Sequence, residues 1–303
     1  MKFLDLFKTH RVKGDQTQVY LSYFDFETQK EPNWLKEGEA EMPYISLQPK
    51  TLSVQLDNKM VSATVSKEQI MDLKGLGIDG TEEAKRALVV EQKTNLQKEV
   101  LAECGEVAQH KTKYEINQDK GGVKGIRRFI WDLFGYHPEV WIDSDVFFDA
   151  LQKGANEIMR SSRMGTAGWV VIHPKAMSRF ESSRDFQFER SGEVTLNDVV
   201  SHIGNWRYLK VFASPLMDEN QILIGRCATS DADTLVSIVN AEDEWLETEI
   251  VDERSFQTLY KLGLRTSMKV FAIPGSEKSY LRWTFQYEKP SLRRWIWQSI
   301  FRR

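Results

Sequence analysis

Residues 46–101 read SLQPKTLSVQLDNKMVSATVSKEQIMDLKGLGIDGTEEAKRALVVEQKTNLQKEVL, and the fold turns on them. The opening is extended in character, with β-branched and apolar residues recurring between polar ones. Ser66 followed by Gln69 forms an S-x-x-Q capping box, which predicts a short helix from Lys67 that stops at Gly75. Thr81 is the expected cap of a second helix that runs to Gln109. Within it, Ala84, Leu88, Leu96, Val100, Cys104 and Val107 fall near one stripe, while Glu82, Lys85, Glu91, Lys98 and Glu103 decorate the remainder. At about 1.5 Å per residue this helix is ~40 Å long, the span of a small domain. It is a beam rather than a packing brick.

Gly75, Gly77 and Gly80 satisfy G-x-G-x-x-G, the arrangement that cradles a pyrophosphate at a helix N-terminus. That fingerprint follows a buried strand, whereas here a capped amphipathic helix precedes it. The glycines read as a helix stop and a helix start.

Upstream, VYLSYFDF at residues 19–26 and the run 45–54 are rich in β-branched and aromatic residues, with polar turn chemistry between them. Two long strands with a polar tip result. A two-stranded ribbon is marginal in water by itself, so something else must hold it. Residues 1–17 form an arm whose Phe3, Leu4, Leu6 and Phe7 either dock on their own domain or pack on a neighbour.

Downstream, residues 111–124 are polar and contain Gly121 and Gly122, which predicts an exposed connection leading into the basic aromatic segment IRRFIWDLF at 126–134. A helix from Asp143 or Ser144 carries Val146, Phe147, Ala150, Leu151, Ile158 and Met159 on its apolar side. GWVVIHP then predicts a short buried strand, followed by a helix over 175–180. Strand-like runs at 208–213, 221–227, 235–239, 245–251, 269–273 and 281–287 complete the chain. The class is α+β. Regular βαβα alternation is missing, which argues against a doubly wound nucleotide-binding sheet. RRFIWDLF echoes RRWIWQSIF at 293–301, but a single echo makes no repeat architecture.

The chain has 303 residues, room for two compact domains or one elaborate one. Lys plus Arg is 41 and Asp plus Glu is 44, a formal charge of −3, which argues against a protein whose main business is coating nucleic acid. Nine Trp and sixteen Phe exclude global disorder. Two cysteines, Cys104 and Cys227, are too few for a disulfide framework. The N-terminus lacks the apolar core of a secretory signal, and no run reaches the roughly 18 apolar residues of a spanning helix. A soluble intracellular product is expected. His10, His110, His137, His173 and His202 show no ligand spacing, G-x-S-x-G does not occur, and the acid-rich run at 242–247 reads as a solvated face. No catalytic, cofactor or metal site is expected, and no small-molecule substrate.

Several segments, in order, resemble the major capsid proteins of large contractile-tailed bacteriophages, which share the Johnson fold with encapsulins. They are residues 46–101; GANEIMRSSRMGTAGWVVIHPKAMSRF at 154–180; Gly204 to Tyr208 with the following LKVFASP and ILIGR; and LGLRTSMKVFAIPG at 262–275. The chain is shorter than those proteins. Its tail, with Arg293, Arg294, Arg302 and Arg303 bracketing Leu292, Trp295, Ile296 and Ile300, has no counterpart in them.

The resemblance implies an N-terminal arm (1–17), an extended loop (18–62), a peripheral domain (63–164) with spine helix 81–109, an axial domain (165–252), return strands of the peripheral domain (253–290) and a basic amphipathic tail (291–303). It implies a virion subunit that self-assembles into hexameric and pentameric capsomers of an icosahedral shell around DNA, assembled in host cytoplasm. Copies of itself, other capsid or scaffolding proteins and, weakly through the inner face, packaged DNA are the expected partners. Trp34, Glu37 and Tyr44 are the expected intersubunit loop contacts, because an aromatic near a polar tip is costly to expose unless a partner covers it. Arg127, Arg128, Arg293, Arg294, Arg302 and Arg303 are candidate DNA or partner contacts. The rival readings are an encapsulin-like compartment shell, a membrane- or nucleic-acid-binding module built on the basic aromatic helices, and an enzyme whose site leaves no local motif.

Overall fold

The computed structural model describes residues 2–12, 18–28, 45–116, 144–162, 165–177, 180, 183–188, 199–228, 235–241, 243–251 and 258–288. These residues build two sheets, a two-stranded ribbon and three α-helices.

The ribbon pairs β2 (Gln18–Thr28) antiparallel with β3 (Ile45–Gln55), Gln18 opposite Gln55 and Thr28 opposite Ile45. A single residue, Leu56, leads into β4 (Asp57–Ser66). Next comes α1 (Lys67–Gly75), with the capping box formed as expected: Gln69 N donates to Ser66 Oγ over 3.2 Å, and Ser66 N to Gln69 Oε1 over 3.0 Å. Gly77 turns the chain at φ 78°, a left-handed conformation that glycine adopts without steric cost. The cap of α2 (Gly80–Val107) is Asp79, not Thr81: its Oδ1 accepts from Thr81 N and Glu82 N. A carboxylate there also complements the positive end of the helix dipole. The glycine-rich stretch is thus a turn between two helices.

The longest strand is β13 (Thr258–Ala272), where only 269–273 were expected to be extended. Along one edge run β11 (Val236–Asn240) and β12 (Glu244–Val251); along the other runs β4, with Arg265 opposite both Glu244 and Met60. Parallel to β11 lies β1 (Lys8–Arg11), completing five strands. The second sheet has seven, in the order β5 (Gln109–Ile116), β14 (Tyr280–Glu288), β10 (Gln221–Gly225), β6 (Trp169–Ile172), β9 (Leu209–Ala213), β8 (Ser201–Trp206) and β7 (Phe186–Phe188). Residues 109–116, whose later part was expected to lie in an exposed connection, are therefore a sheet edge. A parallel partner 170 residues away in sequence supplies the hydrogen bonds that local composition gives no hint of. Neither sheet is contiguous in sequence. β11 and β12 fall inside the block 165–252 yet pair with β13, while β5 and β14 come from outside it.

One face of the seven-stranded sheet packs on α3 (Ser144–Ser162) through Phe147, Ala150, Leu151, Ala155 and Ile158, which meet Val170, Ile172, Val211, Ile222 and Ile224. Met159, expected on the apolar side, is exposed. Its i, i+1 relation to Ile158 rotates it off the stripe. The opposite face, with Trp169, Val171, Phe212 and Leu223, packs on the arm (Phe3, Leu6, Phe7) and on Val100, Leu101 and Cys104 of α2. All four residues of β6 are buried, as a strand covered on both faces requires. Opposite Trp169 on β10 stands Gly225, where a Cβ would lie 2.1 Å from the indole. The expected helix over 175–180 opens as a 3-10 turn, Pro174–Ala176, with His173 Nδ1 accepting from Lys175 N.

The two sheets are joined by α2. Its first half lays Ala84 and Leu88 on Leu262 and Leu264, flanked by Val61, Ala63 and Val65. Its second half enters the core beneath the seven-stranded sheet. Between them Gln97 is fully buried, and its Oε1 accepts from Val199 N at 3.0 Å and Val200 N at 3.3 Å. Two amides that lead into β8 are satisfied by a spine side chain.

Candidate assembly surfaces

The described residues offer surfaces rather than a reaction centre. No three His, Cys, Asp or Glu among them gather as metal ligands. Burial pushes the Cys104 thiol well above its ordinary value, and Cys104 shares a hydrogen bond with Tyr280, whose hydroxyl accepts from Val236 N at 3.0 Å. Cys227 is also raised by burial, with Lys210 and Arg226 opposing. Neither sulfur is a poised thiolate.

The ribbon is anchored at its base. Tyr23, Val54 and Leu56 are buried with Val239, Phe271 and Ile273, and Val12, Val19, Leu21 and Leu52 pack around them. Tyr20 stands in the alternate phase from Tyr23 and is 67 % exposed. Each strand of the ribbon pairs with the other alone among the described residues, so each keeps an unpaired edge.

A second surface is formed where α1 packs on the start of α2, and the end of β12 carries further exposed apolar side chains. Nothing in α1 is fully buried, and Met71, Leu76, Ile78, Ile250 and Val251 all face solvent, Leu76 at 76 %. Large apolar side chains in water are costly to expose where they form a patch. Ion pairs rim the area: Lys85 Nζ lies 2.8 Å from Glu247 and 5.9 Å from the ring centroid of Trp245, and Arg265 faces Glu244 at 3.6 Å. The hydrogen bond to Glu247 raises the pKa of Lys85, which keeps the ammonium charged. Exposed pairs of this kind contribute ~0–1 kcal/mol each and serve register more than stability.

The third surface is the β8–β9 turn. Arg207 adopts φ 53°, the one positive-φ non-glycine among the described residues. Its guanidinium lies 4.8 Å from the Trp206 ring centroid, and it donates through Nε to Asp185 Oδ2 at 2.8 Å and through Nη1 to Gln152 Oε1 at 3.0 Å. Phe148 stacks with the Trp206 ring, centroids 5.1 Å apart. The turn holds Tyr208, half exposed, beside a rigid Trp–Arg pair, the residue types that dominate interface energetics.

None of the nine residues singled out in the sequence falls on these surfaces as described. Trp34, Glu37 and Tyr44 lie outside the described residues, between the ribbon strands that end at Thr28 and begin at Ile45. Arg127, Arg128, Arg293, Arg294, Arg302 and Arg303 also lie outside them. The strands that lead to the two Arg-Arg segments, β5 and β14, run parallel and end side by side, Ile116 opposite Glu288. What sequence reasoning missed is Gln97 and the Trp206–Arg207 turn. The first carried a signal, a carboxamide flanked in sequence by the apolar stripe of α2; the second needs β7, β8 and α3 brought together.

The family model of the major capsid protein Gp23 matches residues 7–277. No curated protein matches the chain. Among solved structures the fold is similar to the capsid structure of the Cyanophage P-SCSP1u, at 8% identity and TM-score 0.55 over 94% of this chain and 88% of that one. It is also similar to the holo-SrpI encapsulin complex from Synechococcus elongatus (12% identity, TM-score 0.50, 94% of this chain and 89% of that one) and to Microbacterium phage Oxtober96 (12%, TM-score 0.50, 93% and 90%). These likenesses speak to the fold. Because the Gp23 match runs through the ribbon, the spine helix and most of both sheets, the chain belongs to the major capsid protein Gp23 family: it is a structural subunit of a bacteriophage capsid and not an enzyme.

Proposed function

We propose that this subunit closes into hexameric and pentameric capsomers, which tile an icosahedral shell around DNA, and that its ribbon is the arm by which one copy leans on the next. The observation that carries this reading is the ribbon itself, which is 11 residues long on each strand, anchored at its base and, among the described residues, unpaired on both outer edges. Copies joined head to tail through such an arm form rings, and rings form shells.

In this division residues 1–17 are the arm and the extended loop is the ribbon with its tip. The peripheral domain is the five-stranded sheet with α1 and α2. The axial domain is the seven-stranded sheet with α3, so the edges differ from the contiguous blocks of the sequence, 63–164, 165–252 and 253–290. The tail is 291–303. Trp34, Glu37 and Tyr44 make loop contacts with the neighbouring copy. The Arg127–Arg128 and Arg293–Arg294 pairs, which follow strands that end together, and Arg302 and Arg303 meet packaged DNA or a scaffolding partner. Assembly takes place in the host cytoplasm.

Deleting residues 32–41 tests the arm. The expected product is a soluble, folded subunit that elutes as a small species in gel filtration and gives no particles under the electron microscope. Normal particles from the deletion overturn the assignment.

A further inference from the structure

Residues 2–12 touch two hydrophobic clusters that a sheet keeps apart. The wall between them is the β11 end of the five-stranded sheet, where Ile238 and Val270 face the core beneath the seven-stranded sheet while Val239 and Phe271 face the base of the ribbon. The segment begins on the core side. A single 3-10 turn, Phe3–Leu6, closed by Lys2 N donating to Asp5 Oδ2 at 2.9 Å, buries Phe3 and Leu6, and Phe7 follows them into the core. Phe3 meets the rings of Phe7, Trp169 and Phe212 edge-on at centroid distances of 5.1, 5.8 and 5.5 Å, and Phe7 meets Trp169 at 5.9 Å. β1 then runs along the edge of the wall, from Lys8 opposite Ser237 to Arg11 opposite Asn240. The segment finishes on the ribbon side. Val12 N donates to Asn240 O at 3.0 Å, Val12 packs on the cluster of Tyr23, Val54 and Leu56, and Lys8 and His10 line a crevice with Leu21, Tyr23 and Leu52.

We infer that residues 2–12 are a strap across this wall, so that the docking of Phe3, Leu6 and Phe7 in the core sets how firmly the base of the ribbon is seated. The attachments differ in strength. β1 is the terminal strand of its sheet among the described residues, and parallel pairs on one edge are weak by themselves. The segment's buried side chains are Phe3, Leu6 and Phe7, and apolar burial scales with the area removed from water, so the hold is concentrated at the core end. Release there leaves β1 on its ladder alone, and Val12 with it. The ribbon base then loses one of the walls of its cluster without any change in its own residues. The strap acts within one copy, so it stands apart from whether the ribbon leans on a neighbour and does not need that reading.

Hydrogen–deuterium exchange on the isolated subunit reads both ends of the strap. Phe3→Ala releases the core end. Peptides covering residues 18–23 and 52–56 are expected to exchange at least about tenfold faster than in the wild type, while residues 144–162 of α3, on the other face of the seven-stranded sheet, keep their rate. An unchanged rate at 18–23 and 52–56 overturns the inference, because the base then holds without the strap. Equal acceleration at 144–162 overturns it as well, since Phe3 then serves global stability alone. Phe3→Leu keeps the site apolar and loses the ring contacts; it decides the same comparison, with about threefold as the expected factor, if the alanine variant does not fold. Val12→Ala releases the ribbon end at a half-buried position. It is expected to melt with the wild type and to accelerate the same peptides about threefold. The double variant is expected to exchange there no faster than Phe3→Ala, because a strap already slack has nothing more to lose. Factors that multiply mean two independent anchors and overturn the inference.

Discussion

The two sheets of this subunit are finished to different degrees. The seven-stranded sheet is covered on both faces, by α3 on one and by the arm and α2 on the other, and its central strand β6 is buried throughout. The five-stranded sheet is covered on both faces at its β11 end, by the core shared with α2 and the arm and by the base of the ribbon, whereas along β12 and β4 the described residues cover one face, with the first half of α2. Along β12 nearly every residue is exposed, Trp245 and Ile250 included, and β4 alternates exposed with half-buried positions. One sheet is a domain core in its own right. The other is closed at its β11 end and exposed along β12 and β4.

Single substitutions sharpen that contrast. Phe147 contacts Phe148, Phe180 and Phe285 in the core under α3, and Phe147→Ala is expected to cost about 3–5 kcal/mol in a denaturant titration of the isolated subunit. A loss below ~1 kcal/mol shows that the seven-stranded sheet is not the stability core. Gln97→Ala leaves the amides of Val199 and Val200 buried without their acceptor; about 2–3 kcal/mol of stability and faster amide exchange at 199–200 are the expected readings. Exchange unchanged there means the spine does not hold the start of β8. On the unfinished sheet, Trp245→Ala is expected to move subunit stability by no more than ~1 kcal/mol while lowering particle yield, since Trp245 contacts Lys85 at the surface. A large stability loss breaks the comparison.

The smallest effect concerns Glu103, half-buried on α2, whose Oε1 accepts from Ala272 N at 3.1 Å. Burial raises its pKa, the hydrogen bond from Ala272 opposes, Glu106 adds to the rise and Lys269 opposes. A carboxyl raised on folding binds its proton more tightly in the folded state, so its contribution is fully present below the unfolded value and is lost as pH rises through the folded one. The unfolding midpoint of Glu103→Gln should therefore gain on the wild type as pH rises from about 4 to 7. A difference that is flat across that range removes Glu103 from the pH dependence.

Much was legible from the sequence, and each legible part rested on a local cause. Ser66 and Gln69 announce α1 because both halves of a capping box lie within one turn. The ribbon shows because aromatic and β-branched runs flank a polar tip, and WVVI shows because a strand buried on both faces has no polar positions. What stayed hidden depends on distant partners. Gln109 to Ile116 is polar and basic, and it is a strand only because β14 lies beside it. The length of β13 is set by three different neighbours placed along it. The stripe of α2 was blurred, with Leu96 and Val107 only partly buried and Gln97 wholly so, because the helix packs on one sheet with its first half and on the other with its second. No single angular face serves both. The expected tip contacts and arginine pairs rest on composition and lie outside the described residues.

By itself, then, the sequence determined the pieces: where helices start and stop, which strands are buried on both faces, and that a ribbon exists which cannot stand alone. Only the tertiary structure decided which strands share a sheet, that one helix spans two cores, and that β4 pairs with β13 alone among the described residues. Caps, turns and periodicity act within a few residues, so the chain carries them in plain order. Pairing joins residues more than two hundred positions apart, and its choice is made by how the faces fit once they meet.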